Sequence, residues 1–291
     1  MSGSAEMRIR CGTLVLEFSG GMDDLDELKG LYTAHAASAG ACEDVSARVD
    51  VEVDAERARP PRSGPVASSV DPVTRVLRIA TSEWSLGVPL AGEGPVRLSL
   101  ARWWVPAFDH AVRCLIQVLA PLRAGAVVLH GSAVERDGLA YAFVAHANTG
   151  KTTLARLSRD EGLTVLSEEM TYVAWAPGSS VPSAFSLPVI EANDLRVPHP
   201  RAAPLAGLYR LVQDTRDFVV PIAPGRRVSA LAAVTAIAVR TPVLMQAALG
   251  VVARLVAVVE PKELRFTRSL AFWDAIDAER RAGAESRAGR A

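Results

Sequence analysis

The sequence has few cysteines, and their arrangement excludes two classes of protein. Only three occur among 291 residues, as Cys11, Cys42 and Cys114, which lie far apart and show no paired spacing. Disulfide-stapled domains use cysteines in even numbers, and zinc modules use them in pairs at characteristic short intervals. We therefore expect neither a disulfide framework nor a zinc site, and the cysteine content favours a reducing, cytoplasmic location.

An excess of one charge sign is also absent. Lysine plus arginine and aspartate plus glutamate both number 32. The chain therefore has no overall electrostatic attraction for nucleic acid or for an anionic membrane surface. We expect no nucleic-acid partner and no membrane partner, while homo-oligomerisation stays open.

Long uncharged hydrophobic runs are missing as well. The N-terminal segment MSGSAEMRIRCGTLVLEFSGG carries charges on both sides of a very short apolar run, unlike a secretory signal. In the most apolar region, VSALAAVTAIAVRTPVLMQAALGVVARLVAVVE, Arg240 and Arg254 interrupt the run before the roughly 18 uncharged residues of a membrane span accumulate. We expect buried helices there, because a chain with 49% hydrophobic and 22% charged residues has a globular composition.

The first hundred residues are rich in predicted strands. Alternating and β-branched residues predict strands in CGTLVLEFSG, ARVDVEVDAE, TRVLRIATSEW and PVRLSLARWW. The acidic stretch MDDLDELKGLYTAHA is predicted to be helical, and RARPPRSGPVASSVDPV is predicted to be a loop. Residues 1–100 are therefore predicted to form a strand-rich N-terminal lobe, although no strong linker follows it.

The pattern changes after Pro106. PAFDHAVRCLIQVLAPLR has the apolar spacing of an amphipathic helix, and AVVLHGSAVERDGLAYAFVAH contains two apolar runs joined at Asp137-Gly138, which predicts a hairpin. A helix ending at Gly162 follows in TTLARLSRDEG, then a strand in LTVLSEEMTYVAW. We expect one α/β domain over residues 101–278 and a frayed tail over 279–291.

The hairpin leads into AHANTGKT, which ends like a phosphate-binding loop but begins with Ala145 where glycine is usual. In such loops, backbone N–H groups surround the phosphates at a helix N-terminus, a lysine reaches the β- and γ-phosphates, and a hydroxyl binds magnesium. Lys151 and Thr152 occupy those two places. The alternative is that Gly-Lys-Thr merely begins an ordinary helix, but the position between a predicted strand and a predicted helix favours a nucleotide site. Its predicted residues are Ala145, His146, Ala147, Asn148, Thr149, Gly150, Lys151, Thr152 and Thr153.

The combination LHGSAV, DG, AHANTGKTTL and EGLTVLSEEMTYV resembles the catalytic domain of HPr kinase/phosphorylase and of HPr-kinase-related proteins. The resemblance covers residues 125–175; PLAGLYRLVQ and KELRFTRSLAFWDAI are loosely similar to later parts of those kinases. It implies an α/β P-loop kinase domain of the HPr kinase/phosphoenolpyruvate carboxykinase type, preceded by the strand-rich lobe. It also implies ATP and Mg²⁺ as cofactors, with GTP as an open alternative to ATP.

The same resemblance assigns roles to three further residues. His130 corresponds to an active-site histidine, and the pair Glu168-Glu169 replaces two aspartates of the family. By position Glu168 is the catalytic base, and Glu169 binds magnesium together with Thr152. Carboxylates suit both tasks, because an acceptor hydroxyl needs a proton acceptor and magnesium prefers oxygen ligands. The plainer alternatives are a core histidine and a solvated acidic pair.

Several other residues are weaker candidates for the site. Trp103, Trp104 and Trp175 could stack on a base, although core or lobe contacts are the simpler reading. A polar stretch could supply a phosphate clamp or only surface charge, through Asp214, Arg216, Arg226 and Arg227. His146 has no derived role and is expected to face solvent.

The expected acceptor of the phosphoryl group depends partly on a motif that the chain lacks. The glycine-rich signature that follows the acidic pair in true HPr kinases is missing, so HPr itself is not implied. Related kinases occur with small peptide or carrier systems, including the tailoring of lasso peptides and other ribosomal peptides. We therefore expect transfer to a serine or threonine hydroxyl of a peptide or small protein. The alternative is a nucleotide-binding scaffold or switch, without phosphoryl transfer, in a peptide-modifying system.

Overall fold

The computed structural model describes residues 4–21, 32, 36, 45–53, 66–91, 94–101, 105–189 and 200–288. These residues form a mixed α/β structure in which two sheets dominate and helices are few. No helix within the described ranges is long and apolar enough to cross a membrane. Cys42, Trp103, Trp104 and most of the predicted acidic helix lie outside those ranges.

The first sheet has seven strands in the order β1-β2-β3-β7-β6-β5-β4. Their buried residues alternate with exposed ones, as at Val49 and Val51 of β3, so that one face packs on the core. The four predicted strands of this segment are present as β2, β3, β5 and β7. Strands β1, β4 and β6 are additional, and β4 lies within the predicted loop. The bounds are β1 (Ser4–Cys11), β2 (Leu14–Gly21), β3 (Ala47–Val53), β4 (Ala67–Val70), β5 (Val76–Ala80), β6 (Trp84–Pro89) and β7 (Val96–Leu100).

Helix α1 (Val105–Arg123) packs between the two sheets and confirms the predicted amphipathic helix. Its buried residues, among them Phe108 and Leu115, share one hydrophobic core with the first sheet and with Val128 and Tyr172 of the second. The Tyr172 hydroxyl also bonds the Thr13 hydroxyl at 2.8 Å. The strand-rich lobe and the rest of the chain are therefore joined by a continuous core.

The second sheet contains a closed barrel of five strands. Strand β8 pairs with β9, β9 with β13, β13 with β12, β12 with β11, and β11 again with β8. Small side chains such as Ala140, Ala142 and Ala184 occupy one buried cluster of these strands, as a narrow barrel requires. The bounds are β8 (Val127–Arg136), β9 (Leu139–Val144), β10 (Thr164–Ser167), β11 (Met170–Trp175), β12 (Pro182–Phe185), β13 (Ala202–Gln213), β14 (Phe218–Pro221) and β15 (Pro261–Phe266).

The predicted hairpin at Asp137-Gly138 joins β8 to β9. Arg136 pairs with Leu139, and the two residues between them have φ angles of 54° and 74°. Both central residues of a type I′ turn need positive φ, which explains the Asp-Gly sequence. The structure confirms this prediction.

In the described residues after the hairpin, four α-helices follow, namely α2 (Lys151–Asp160), α3 (Arg227–Ala232), α4 (Pro242–Val258) and α5 (Ala271–Ala288), and a 3₁₀ turn (Pro224–Arg226) precedes α3. Three predictions need correction. The strand predicted after α2 is divided at Glu168-Glu169 into β10 and β11, and the predicted apolar helices are separated by a non-helical segment at 233–241. The tail predicted to fray from residue 279 is helical to Ala288, because Glu279 pairs with Lys262 and Arg280 donates to Tyr141.

Candidate functional site

The phosphate-loop segment lies at an edge where three parallel strands end. Strand β9 runs parallel to β13, which runs parallel to β15. The segment follows Val144 directly, and Thr149 accepts a 3.4 Å hydrogen bond through its carbonyl from the Gln213 side chain at the end of β13. The carboxyl ends of parallel strands are the usual ligand-binding edge of an α/β sheet.

The backbone of this segment turns through left-handed conformations. Asn148 has a φ of 62° and Gly150 a φ of 107°. A Cβ atom at Gly150 would lie 2.7 Å from Cζ of Phe266, so only glycine fits there. Ala145 is buried and has no positive φ, so its methyl group is accommodated. Loops of this kind form concave backbone N–H sites for anions.

Lys151 begins α2 and is held at the loop. Its Nζ donates to the His146 carbonyl at 2.7 Å, and the side chain is buried. Burial lowers the pKa of Lys151, and the nearby charge of Glu169 opposes that shift. The His146 side chain is exposed, as expected. The structure therefore places a desolvated ammonium group at the point where the loop meets the helix.

His130 lies beside the loop, on β8. Its backbone carbonyl accepts from the Ala145 amide at 3.1 Å. Its imidazole is half-buried, and burial followed by the charge of Lys151 lowers its pKa, against an opposing effect of Glu169. At the next position Gly131 is required, because a Cβ there would lie 2.7 Å from the Phe143 carbonyl oxygen. The sequence-predicted pair His130 and Lys151 is thus brought together.

The two acids differ sharply in exposure. Glu168 is buried, with 3% of its surface accessible, whereas the side chain of Glu169 is 54% exposed. Both residues lie in the bend between β10 and β11, which directs one side chain inward and the other towards solvent. Of the two, Glu169 influences the pKa values of both Lys151 and His130.

A charged pair on α1 also belongs to this region, and the sequence analysis missed it. Asp109 is buried, accepts from Arg113 Nε at 2.7 Å and from the Tyr32 hydroxyl at 3.2 Å. The other side of Arg113 lies 3.5 Å from the Glu169 carboxylate. The signal was an aspartate and an arginine four residues apart among the apolar positions of an amphipathic helix.

A groove of about 470 Å³ opens next to His130 and Glu169. Residues His110, Arg113 and Gln117 of α1 line one side, and the segment 233–238 lines the other. A second cavity, of about 570 Å³, shares Ala233 with this groove. The two spaces therefore lie on either side of Ala233.

The four polar residues considered for a phosphate clamp have different surroundings in the structure. Arg226 lines the second cavity together with Arg210, which pairs with Val144 at the start of the loop. Arg227 instead pairs with Glu260, and Asp214 pairs with Arg265 at 3.2 Å. Arg216 is exposed near the end of β13. These contacts keep only Arg226 as a clamp candidate facing a cavity.

Trp175 is covered by another side chain. The guanidinium group of Arg254 lies 3.9 Å from the centre of its ring, a cation–π contact. This contact agrees with the simpler expectation of a packing role for Trp175.

In comparisons with models of protein families and with curated proteins, the chain matches none.

Proposed function

We propose that the protein is an ATP-dependent kinase with a P-loop domain of the HPr-kinase-related type, acting on a serine or threonine hydroxyl of a peptide or small protein. The observation that carries the proposal is the grouping of Lys151, His130 and Glu169 around a glycine-dependent loop at a parallel-strand edge. A core histidine or a solvated acid pair would not require this convergence.

The nucleotide phosphates would bind to the loop amides and to Lys151. In the structure Lys151 donates to the His146 carbonyl. Binding of the phosphates would replace that carbonyl by phosphate oxygens, which carry a full charge and form stronger hydrogen bonds. The desolvation of Lys151 increases the electrostatic stabilisation that it can give to the transferring group.

The residues present fit a magnesium ion that is bound jointly with the nucleotide. Within the described part of the chain, no three His, Cys, Asp or Glu side chains are grouped to hold a metal. Magnesium in kinases is typically held by one or two protein ligands plus substrate phosphates, where it neutralises phosphate charge. Thr152, at the start of α2, and one acid of the Glu168-Glu169 pair supply the protein ligands in this proposal.

The exposures support an exchange of roles within the acid pair. By the order of the motif, Glu168 would accept the proton of the acceptor hydroxyl and Glu169 would bind magnesium. However, Glu169 is the acid that lines the groove. We assign the acceptor proton to Glu169 and the metal-side position to Glu168. The hydroxyl oxygen then bonds to the γ-phosphorus, its proton passes to Glu169, and the bond to the β-phosphate oxygen breaks. His130, with its lowered pKa, is a neutral hydrogen-bonding group beside the transfer.

The test is single-turnover phosphorylation with the Lys151→Ala variant. We expect magnesium-ATP to bind the parent protein and transfer to be abolished in the variant, because a positioned cation contributes several kcal/mol to the transition state. Unchanged thermal unfolding of the variant would show that its fold is intact. Parental transfer rates in Lys151→Ala would disprove the kinase assignment. Magnesium-ATP binding by the parent without a phosphorylated product would instead favour the scaffold or switch.

A further inference from the structure

The outer face of the first sheet, which points away from its core, has two rows in which a pair of arginines flanks one residue across three neighbouring strands. In the first row, Glu17 of β2 lies opposite Arg8 of β1 and opposite Arg48 of β3. Its carboxylate forms ion pairs with both, at 2.6 Å to Arg8 and 3.2 Å to Arg48. The arginine charges of this row are therefore balanced within the chain.

The second row has the same plan with glycine in place of the acid. Gly87 of β6 lies opposite Arg78 of β5 and opposite Arg97 of β7. Both arginines are exposed, and among the described residues no carboxylate forms an ion pair with either of them. Asp50, which lies opposite Arg97 on β3, accepts a hydrogen bond from the Ser19 hydroxyl at 3.0 Å. Two like charges therefore flank a glycine where the first row has a glutamate.

The fold itself does not require glycine at this position. The φ angle of Gly87 is not in the left-handed region. A Cβ atom there would lie 3.7 Å from Cγ1 of Val76 and 3.9 Å from Cβ of Arg97, which are ordinary van der Waals contacts. Glycine weakens the interior of a strand, and it often marks a place where a ligand approaches closely. The missing side chain leaves room between the two arginines.

The glycine and both arginines line a cavity of about 630 Å³ on this face, a volume within the range of small-molecule sites. The next outward residues of β6 are Ser85 on one side of the glycine and Pro89 on the other. Ser85 lies opposite Ser99, and Pro89 lies opposite Val76. Glu52 lines the cavity beside Ser99. The cavity therefore has a cationic centre between a polar end with hydroxyl groups and an apolar end.

We propose that this cavity binds a small organic anion, with a carboxylate or phosphate group held over Gly87 between Arg78 and Arg97. Guanidinium groups match both kinds of oxyanion through pairs of parallel hydrogen bonds. The anionic group of the ligand takes the place that the Glu17 carboxylate has in the first row. Its polar part faces the serine hydroxyls, and its apolar part faces the opposite end of the cavity. This binding site is separate from the proposed kinase site.

The experiment titrates the full chain with phenyl phosphate or with benzoate, against sodium chloride at equal ionic strength. The NMR signals of the β6 backbone amides report binding at this face, so binding of phenyl phosphate at the phosphate loop is not counted. Gly87→Glu places a carboxylate between the arginines, as in the first row, and Arg78→Gln/Arg97→Gln removes both cations. Arg48→Gln is the matched control, because Arg48 is an exposed arginine of the same face that does not line the cavity.

We expect at least one of the two anions to shift the β6 signals saturably, and the tighter of them identifies the anionic group. Gly87→Glu and the double arginine variant should each weaken binding about tenfold or more, because one occupies the place of the anion and the other removes its charge-assisted hydrogen bonds. Arg48→Gln should bind like the parent. Parental affinity in the double arginine variant or in a folded Gly87→Glu would overturn the assignment. Shifts no larger than those with sodium chloride would overturn it as well.

Discussion

Two small residues of the phosphate loop play different parts. Gly150 combines a φ of 107° with a Phe266 ring in the space that a Cβ would occupy. Ala145 has neither constraint. The departure from the usual glycine at the start of the loop is therefore compatible with the observed backbone, whereas a change at Gly150 is not.

We predict that Gly150→Ala weakens magnesium-ATP binding strongly and that Ala145→Gly changes it little. Strain of about 1–3 kcal/mol at Gly150 corresponds to a loss of affinity of roughly 5- to 150-fold. Ala145→Gly should alter the affinity by less than about tenfold, or roughly 1.4 kcal/mol. Isothermal titration with magnesium-ATP measures both. If Ala145→Gly alone conferred binding, the natural loop would be degenerate and the scaffold function would be favoured.

The assignment within the acid pair leads to a second residue-level prediction. Glutamine keeps the size of glutamate and removes its charge. Glu169→Gln should lower phosphoryl transfer by roughly 10²- to 10⁴-fold, the usual contribution of a general base, with nearly unchanged magnesium-ATP binding. Glu168→Gln should instead raise the magnesium concentration needed for ATP binding. The opposite pattern, measured by single-turnover kinetics and magnesium titration, would restore the roles given by motif order.

At the scale of elements, α1 connects the first sheet to the proposed site through Asp109, Arg113 and Glu169. Asp109 and Arg113 have side-chain exposures of only 7% and 14%. The buried Asp109 carboxylate needs a cation beside it, so we expect Asp109 to hold the Arg113 side chain in one orientation. Arg113 in turn would fix the position of the Glu169 carboxylate. Arg113 is in this sense a positioning residue.

We predict that Arg113→Gln lowers kcat and leaves KM for ATP nearly unchanged, and that Arg113→Lys restores part of the rate. Arg113→Gln should also destabilise the fold by about 3 kcal/mol, because Asp109 stays buried without its cation. The double variant Asp109→Asn/Arg113→Gln removes both charges and should recover stability without recovering kcat. Recovery of both by the double variant, in unfolding and kinetic measurements, would show that Arg113 acts only on stability.

Local sequence signals predicted some elements and missed others for identifiable reasons. The Asp137-Gly138 hairpin, α1 and the loop-helix junction depend on short-range turn chemistry and periodicity, which the sequence carries. Strand β13 was missed because AAPLAGLYRLVQ contains proline, glycine and alanine, which disfavour strands. Its conformation comes from parallel pairing with β9 and β15, a long-range effect. The sequence of residues 233–238 likewise predicts an apolar helix. Its hydrogen bonds to β8 are made with residues about a hundred positions earlier in the sequence, which no local pattern encodes.

The candidate site was predictable to the extent that it follows a contiguous motif. Lys151, His130 and the acid pair could be named from spacing and resemblance. Arg113 and the groove could not, because they depend on how α1 packs against the second sheet, which no local pattern encodes.

At the scale of the whole molecule, two histidines make folding stability depend on pH. Burial is the main cause that lowers the pKa of both His110 and His130 from 6.5. For His130, Lys151 and His146 act in the same direction and Glu169 opposes them. For His110, Arg113 lowers the pKa, whereas Glu83 and Asp109 raise it. Below pH 6.5 the unfolded chain therefore binds more protons than the folded one.

We predict that the free energy of unfolding decreases as the pH falls from about 7 to about 5, the window below the unfolded-state pKa of these groups. The contribution is fully present above that window. The double variant His110→Gln/His130→Gln should show a shallower decrease, measured by denaturant unfolding at several pH values. An equal slope in parent and double variant would assign the pH dependence to other groups.

The closed barrel has a mechanical consequence for the proposed catalyst. Because every one of its five strands is hydrogen-bonded on both sides within the ring, no strand can slide without breaking two ladders at once. His130 and the start of the loop are therefore anchored to a frame that keeps their spacing whether or not nucleotide is bound. Arg113 is anchored outside that frame, on a helix that belongs equally to the first sheet. A displacement of the first sheet would therefore move Arg113 relative to Glu169, while the pairings of the five barrel strands stay as they are.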